Sequence, residues 1–192
     1  GGGLVAHLSA MTVQHGGVAD LYEAKRASLG EDPLRADADP DRLWARVAAS
    51  KKSIGALIMD QSYFTGPGNI YRAEMLFVAG VHPEVEGRAL DRASFDRVWR
   101  AGVALLGRGY DEGSIVTVDA AADPAAARAG HRRYVYNAAR CARCGARVRS
   151  WDMGGRTCYA CETCQPKVID VTGDDAAADG RAAPAKPPRK PK

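Results

Sequence analysis

The chain has 192 residues, 46% of them hydrophobic, with five cysteines and a formal net charge of +4. That is one domain of ordinary size or two small ones, with enough apolar material for a packed core over most of the length. No run of 18 apolar residues occurs, which excludes a helical membrane span, and an odd cysteine count dominated by Cys-x-x-Cys pairs, with no visible signal peptide, points to a reducing compartment inside the cell.

The chain opens Gly1-Gly2-Gly3 without a methionine and reads as a piece of a longer protein. Residues 4–15 partly alternate apolar and polar positions and end at Gly16-Gly17, which predicts a strand and a turn; Val18 to Tyr22 reads as a second strand. Two strands make no stable sheet alone, so residues 1–28 are expected to be remnant strands of a sheet domain. His7 and His15 are expected on the surface or in packing, not as ligands.

Leu29 to Leu34 is a turn-rich linker. Asp39-Pro40 then opens a helix, with Asp39 as N-cap, Pro40 at the first helical position and Leu43, Trp44 and Val47 as the apolar face. After Ser50-Lys51-Lys52-Ser53, a second helix carries Ile54, Leu57, Ile58 and Gln61 on one face and ends near Tyr63-Phe64. Thr65-Gly66-Pro67-Gly68-Asn69 is a forced turn in which Gly66 and Gly68 permit positive φ. A third helix follows from Asn69 to about Ala79, apolar on most sides and hence central, stopped by Gly80 with Pro83 beyond. Glu74 lies inside it and must be paired or hydrogen-bonded there. A fourth helix runs from Asp91 to about Arg108. Ile115 to Val118 predicts a short extended piece, and Ala120 to Gly130 a loop.

Two Cys-x-x-Cys pairs, Cys141/Cys144 and Cys161/Cys164, stand 16 residues apart. Four thiolates at that spacing suit one tetrahedral structural zinc, with a short hairpin between two knuckles. Paired knuckles rarely cross-link so close to themselves, which disfavours disulfides. Cys158 also forms a Cys-x-x-Cys with Cys161, and spacing does not choose between the two ligand sets. From Arg132 to Lys167 eight basic residues face only Asp152 and Glu162, a net +6. A basic zinc module suggests a polyanionic partner, nucleic acid above all. Two groups suit phosphates: the helix N-terminus behind Gly68 and Asn69, and Arg156 at the Gly154-Gly155 turn. Alternatively, Asn69 merely N-caps its own helix. Beyond Pro166 the tail lacks large apolar residues after Val171 and is expected to be disordered.

Asp60-Gln61-Ser-Tyr-Phe-Thr-Gly66-Pro-Gly68-Asn69-Ile70-Tyr71-Arg-Ala-Glu74, followed by Gly80-Val-His82-Pro83, resembles the helix–two-turn–helix of the formamidopyrimidine-DNA glycosylase / endonuclease VIII family. Tyr134-Val-Tyr136, Cys141-x-x-Cys144-Gly145, Gly155-Arg156-Thr157 and Cys161-x-x-Cys164-Gln165 resemble that family's C-terminal zinc finger. The resemblance covers roughly Leu29 to Pro166. It implies a mainly α fold with a small zinc-bound β-hairpin: remnant strands of a missing β-rich catalytic domain at 1–28, a helix–two-turn–helix domain at 29–130, a zinc finger at 131–166 and a tail at 167–192.

The resemblance also selects Cys141, Cys144, Cys161 and Cys164 as ligands of one structural zinc ion and leaves Cys158 as an extra thiol. It implies that Asn69 and Arg156, with Gly68 and Tyr71, bind DNA around a flipped-out damaged nucleotide. The intact protein is then expected to be a monomeric base-excision-repair DNA glycosylase and AP lyase acting on oxidised bases. In the family, an N-terminal proline amine attacks the sugar C1′ and a neighbouring glutamate assists. Gly1 is not proline and no glutamate follows it, so no catalytic residue is assigned in this chain and it is expected to bind damaged or abasic DNA without cutting it. The alternative is a non-catalytic zinc-finger module, for example an RNA-binding appendage.

Overall fold

The computed structural model describes residues 15–167. The strand expected before His15 and the tail from 168 lie outside the described residues. Among the described residues there are six α-helices and one two-stranded hairpin. The first helix, α1 (Val18–Ser28), replaces the strand expected at Val18–Tyr22. Leu, Ala, Glu, Lys and Arg are strong helix formers, Asp20 sits in the first turn and Lys25 and Arg26 in the last, which suits the helix dipole. None of its residues is buried, so no core contact imposes an apolar period.

The helical layer follows from caps and short apolar faces. In α2 (Pro40–Ala48) the Asp39 side chain accepts from the Asp41 and Arg42 amides, and Leu43 and Val47, one turn apart, are buried. In α3 (Ile54–Met59) Ser53 caps the Ala56 amide. Six residues are too few for an independent helix. Its free N-terminal amides are taken by the Val85 and Pro83 carbonyls, which accept from Ile54 and Gly55 at 2.7 and 3.0 Å. This helix stops at Met59, not near Tyr63-Phe64. The Asp60 carboxylate accepts from the Ser62 amide and hydroxyl, and that local turn outcompetes the next helical bonds.

The central helix is α4 (Asn69–Ala79), ended by Gly80 in the left-handed conformation at φ 68°. The Val81 amide reaches Leu76 O and the Gly80 amide Phe77 O, a Schellman closure. The long α5 (Arg92–Glu112), capped by Asp91, packs along α4 and outruns its expected end at Arg108. Gly109 lies inside it, and Tyr71 occupies the space a side chain would need there: a Cβ would lie 2.0 Å from Tyr71 Oη. Ile115 to Val118 form no strand, although the Thr117 amide donates to Arg132 O at 2.8 Å. The loop expected at Ala120–Gly130 contains a short helix, α6 (Pro124–Arg128), which starts at Pro124 as α2 starts at Pro40, but the Asp123 carboxylate does not cap it and is held by Tyr134 and Arg143 instead.

The hairpin pairs β1 (Arg149–Asp152) with β2 (Thr157–Ala160) antiparallel, Trp151 opposite Cys158. Gly154 and Gly155, both at positive φ, turn the chain between them. Two cores result. Leu43, Ile54, Leu57, Phe64, Met75, Leu76, Phe95 and Val98 belong to the helical one. Ala73 and Phe77 face the other, with Tyr134, Val135, Cys141, Val148 and Cys161. The central helix α4 is thus buried on two sides, as its apolar sequence requires.

Glu74 joins the two layers. Its carboxylate is fully buried and accepts from the amides of Tyr134, Val135 and Tyr136 at 2.8–2.9 Å, and from the Thr117 hydroxyl. The second weld is Gln165, which is buried: its Nε2 donates to Val81 O and its Oε1 accepts from the Cys161 amide. The third is His82, stacked on Trp151 at 5.7 Å between centroids and 4° between planes.

Replacing Glu74 with Gln leaves an acceptor set facing N–H donors with an NH2 group in its place. The loss expected is about 3 kcal/mol of unfolding free energy, read by denaturant titration. Burial above all holds the His82 imidazole below its usual 6.5. The unfolded chain then binds the proton more readily, so stability is lost as pH falls below about 6.5. Melting temperatures are expected to drop on acidification through that window, and to drop less in His82→Phe, which keeps the stack and removes the titration.

Candidate nucleic-acid interface and metal centre

The turn before α4 is clamped by Gln61. Its side-chain oxygen accepts from the Gly66 amide at 2.9 Å and its NH2 donates to Pro67 O at 3.1 Å. Sequence pattern placed Gln61 on a helix face; freed by the early stop of α3, it fixes the turn. Gly66 has φ 102°, whereas Gly68 is extended, with φ −108°, and does not use the left-handed region. Gly68 is the N-cap residue of α4 and no side chain caps that end. Asn69 therefore does not cap its own helix. A Cβ on Gly68 would meet nothing within 4 Å, so the glycine leaves backbone bare to an approaching group. The first amides of α4 have no helical acceptor and point outward, the arrangement that favours an anion.

The Asn69 side chain instead crosses to the hairpin. Its Nδ2 donates to Thr157 O at 3.0 Å, and its Oδ1 accepts from Arg72. A primary amide has two N–H groups, and this use occupies one. The hairpin tip is docked by Met153, whose sulfur lies 3.8 Å from Ser53 Oγ and would be 2.9 Å from a Cβ at Gly55. Glycine at 55 lets the tip seat against α3.

Gly66, Pro67, Gly68, Asn69, Gly154 and Arg156 consequently line one open cleft. Arg156 is exposed and makes no ion pair among the described residues. Its neighbours in sequence differ: Arg143 grips Asp123 through Nε and Nη2 at 3.1 and 2.9 Å, Arg149 meets Glu162 at 3.0 Å and Lys167 meets Glu84 at 2.8 Å. Part of the finger's basic excess is thus taken by Asp123 and Glu84, which lie outside it. Three of the four residues expected to bind DNA, Gly68, Asn69 and Arg156, meet at this cleft. Tyr71 does not. It packs against the helical core with its hydroxyl beside Gly109, on the flank of α4 away from the cleft. Arg72, which sequence reading passed over, lines the cleft from beneath. A second charged residue, beside Glu74, in a helix apolar on most sides is the available signal.

The metal centre is built by the two knuckles. The sulfurs of Cys141, Cys144, Cys161 and Cys164 all lie within 4.8 Å of one another. Cys144 and Cys161 are 3.5 Å apart, Cys141 and Cys164 4.0 Å. Four sulfurs about 2.3 Å from one centre would stand about 3.8 Å from each other, so this set fits a tetrahedral ion and is far from disulfide bonding. Gly145, at φ 73°, closes the first knuckle, its amide on Cys141 O at 2.9 Å. Burial, chiefly, pushes the Cys141 thiol up to about 11. A cation supplies the charge that lets such thiols ionise. Cys158 is buried in β2 and takes no part in the cluster.

Known proteins place this geometry. Residues 29–119 match the formamidopyrimidine-DNA glycosylase H2TH domain. Endonuclease 8 1 of Mycobacterium tuberculosis is 38% identical over 159 residues, 80% of this chain and 58% of the relative. Formamidopyrimidine-DNA glycosylase of an Exiguobacterium species is 35% identical over 144 residues, 72% of this chain and 52% of that one. The chain thus spans little more than half the length of these relatives. Among solved structures, Lactococcus lactis Fpg in complex with DNA containing an abasic site aligns with TM-score 0.64 and 25% identity, covering 78% of this chain and 56% of that one. The same protein with N7-benzyl-Fapy-dG DNA aligns with the same TM-score over 55% of its length. No helix among the described residues is long and apolar enough to cross a membrane. With its helix pair, glycine turn and four-cysteine finger in that order, the chain belongs to the formamidopyrimidine-DNA glycosylase / endonuclease VIII family and corresponds to the C-terminal part of its members.

Proposed function

We propose that this chain is the DNA-binding part of an intracellular base-excision-repair enzyme, a monomeric glycosylase and AP lyase for oxidised bases, and that it grips the sugar–phosphate backbone around the everted nucleotide. One observation carries the reading: the glycine turn of the helix pair and the tip of the finger open on a single cleft, with Asn69 bridging them. The second N–H of Asn69, the bare amides behind Gly68 and the Arg156 guanidinium offer donors to phosphate oxygens. Such contacts position DNA without reading its sequence. Everting a base costs a few kcal/mol of stacking and pairing, which a grip on the flanking backbone offsets. The amine that attacks the sugar C1′ in the family is assigned to no residue of this chain.

Four thiolates with no open position suit a structural zinc ion. Held by both knuckles, it would fix the hairpin and so the place of Arg156. One zinc per chain is expected by metal analysis. Cys158→Ser is expected to keep it and Cys161→Ser to lose it along with finger folding; the reverse pattern would reassign the ligand set.

Binding to an abasic-site duplex tests the function. Arg156→Ala is expected to weaken it about tenfold or more at moderate salt and to reduce the slope of log K against log salt by about 1. Asn69→Ala is expected to cost about tenfold with the slope unchanged, since the amide is neutral. Tighter binding to a tRNA than to the abasic duplex would instead favour an RNA-binding module.

A further inference from the structure

Arg72 is 1% exposed, yet no ion pair among the described residues includes it. Its guanidinium is shared among neutral acceptors. Nη2 donates to Asn69 Oδ1 and lies 3.2 Å from Thr157 O and 3.4 Å from Arg156 O; Nη1 lies 3.5 Å from Met153 O. Nε has no partner. An arginine buried without a carboxylate is a costly element for stability alone. Burial accordingly pulls its pKa below the usual arginine value.

The contacts make chemical sense at the amide of Asn69. An amide's oxygen and nitrogen are nearly the same size, and either can face a given neighbour. A guanidinium only donates, so it accepts one orientation: Oδ1 toward Arg72. Nδ2 is then turned to Thr157 O and the cleft. With the amide reversed, an oxygen would meet an incoming phosphate oxygen and repel it. We infer that Arg72 is a positioning residue for phosphodiester binding, which sets the polarity of the Asn69 amide before DNA arrives. The inference rests on the DNA-binding reading above and deepens it. Arg72 itself touches no substrate in this scheme and acts through Asn69.

A double-mutant cycle separates this role from a structural one. The probe is a duplex with a synthetic abasic site, with Arg72→Met and Arg72→Lys each made alone and combined with Asn69→Ala. Zinc content and melting without DNA establish that each variant is folded. Arg72→Met is expected to lose about tenfold in affinity alone, one hydrogen bond's worth, and nothing further once Asn69 is Ala. Arg72→Lys, still a pure donor, is expected to recover most of that loss. Equal losses in both backgrounds would overturn the inference and leave the DNA-binding reading standing. Full affinity of Asn69→Ala alone would also overturn the inference, whereas failure of the unmutated chain to bind the duplex would overturn the DNA-binding reading itself. Should Arg72→Met not fold, Arg72→Gln is compared with Arg72→Lys. The glutamine can accept as well as donate and so does not select an orientation; equal affinities of the two would refute the inference.

Discussion

The structure depends on one helix being inside two cores at once. Along α4, Met75, Leu76 and Ala79 pack into the helical layer, while Ala73 and Phe77 pack under the finger. A helix buried on both sides cannot shift against one layer without disturbing the other. Between these faces Glu74 takes three successive backbone amides of the segment that enters the finger. A carboxylate at that depth is tolerable only because its lone pairs are filled, and the donors it takes are ones a strand-less segment has no other way to satisfy. The same contact therefore stabilises the helix and fixes where the finger begins.

From that constraint the cleft follows. The finger tip is laid across the start of α4, where Met153 seats against α3, Asn69 reaches Thr157 and Arg72 gathers the tip's carbonyls. Gln61 holds the opposing turn. The polar contacts among these, from Asn69, Arg72 and Gln61, order backbone on one side of the cleft or the other. Facing solvent there are helix amides, one amide hydrogen and Arg156, with the Asp60 carboxylate, held by Ser62 and Lys52, at the margin of the same cleft. Preorganised donors of this kind bind an anion without first having to be ordered.

Charge illustrates the gap between a sequence total and a site. The finger segment carries a net +6, but Arg143 and Lys167 pair with Asp123 and Glu84 outside it, and Arg149 pairs with Glu162 within it. Arg143 also lies 4.7 Å over the Phe77 ring, so its alkyl and guanidinium planes serve packing as much as charge. Arg156, isolated by two glycines, is the one that the fold brings to the cleft.

Local chemistry was enough to determine much of this protein. Asp39-Pro40, Ser53, Gly80 and Asp91 mark helix ends because caps are satisfied within a few residues, and the cysteine spacing announces a knuckle pair for the same reason. Pattern failed where neighbours decided. The helix at Val18–Ser28 has no buried face to impose a period, the stop at Met59 depends on Asp60 meeting Ser62, and Gly109 lies within a helix with Tyr71 packed against it. That same packing removes Tyr71 from the cleft. The weld of Gln165 to Val81 and the reach of Arg72 to the carbonyls of the hairpin tip are likewise decided only in three dimensions. They join residues more than 80 apart in sequence through hydrogen bonds 2.8 to 3.5 Å long, and no periodicity along the chain encodes which distant carbonyl a buried donor will meet.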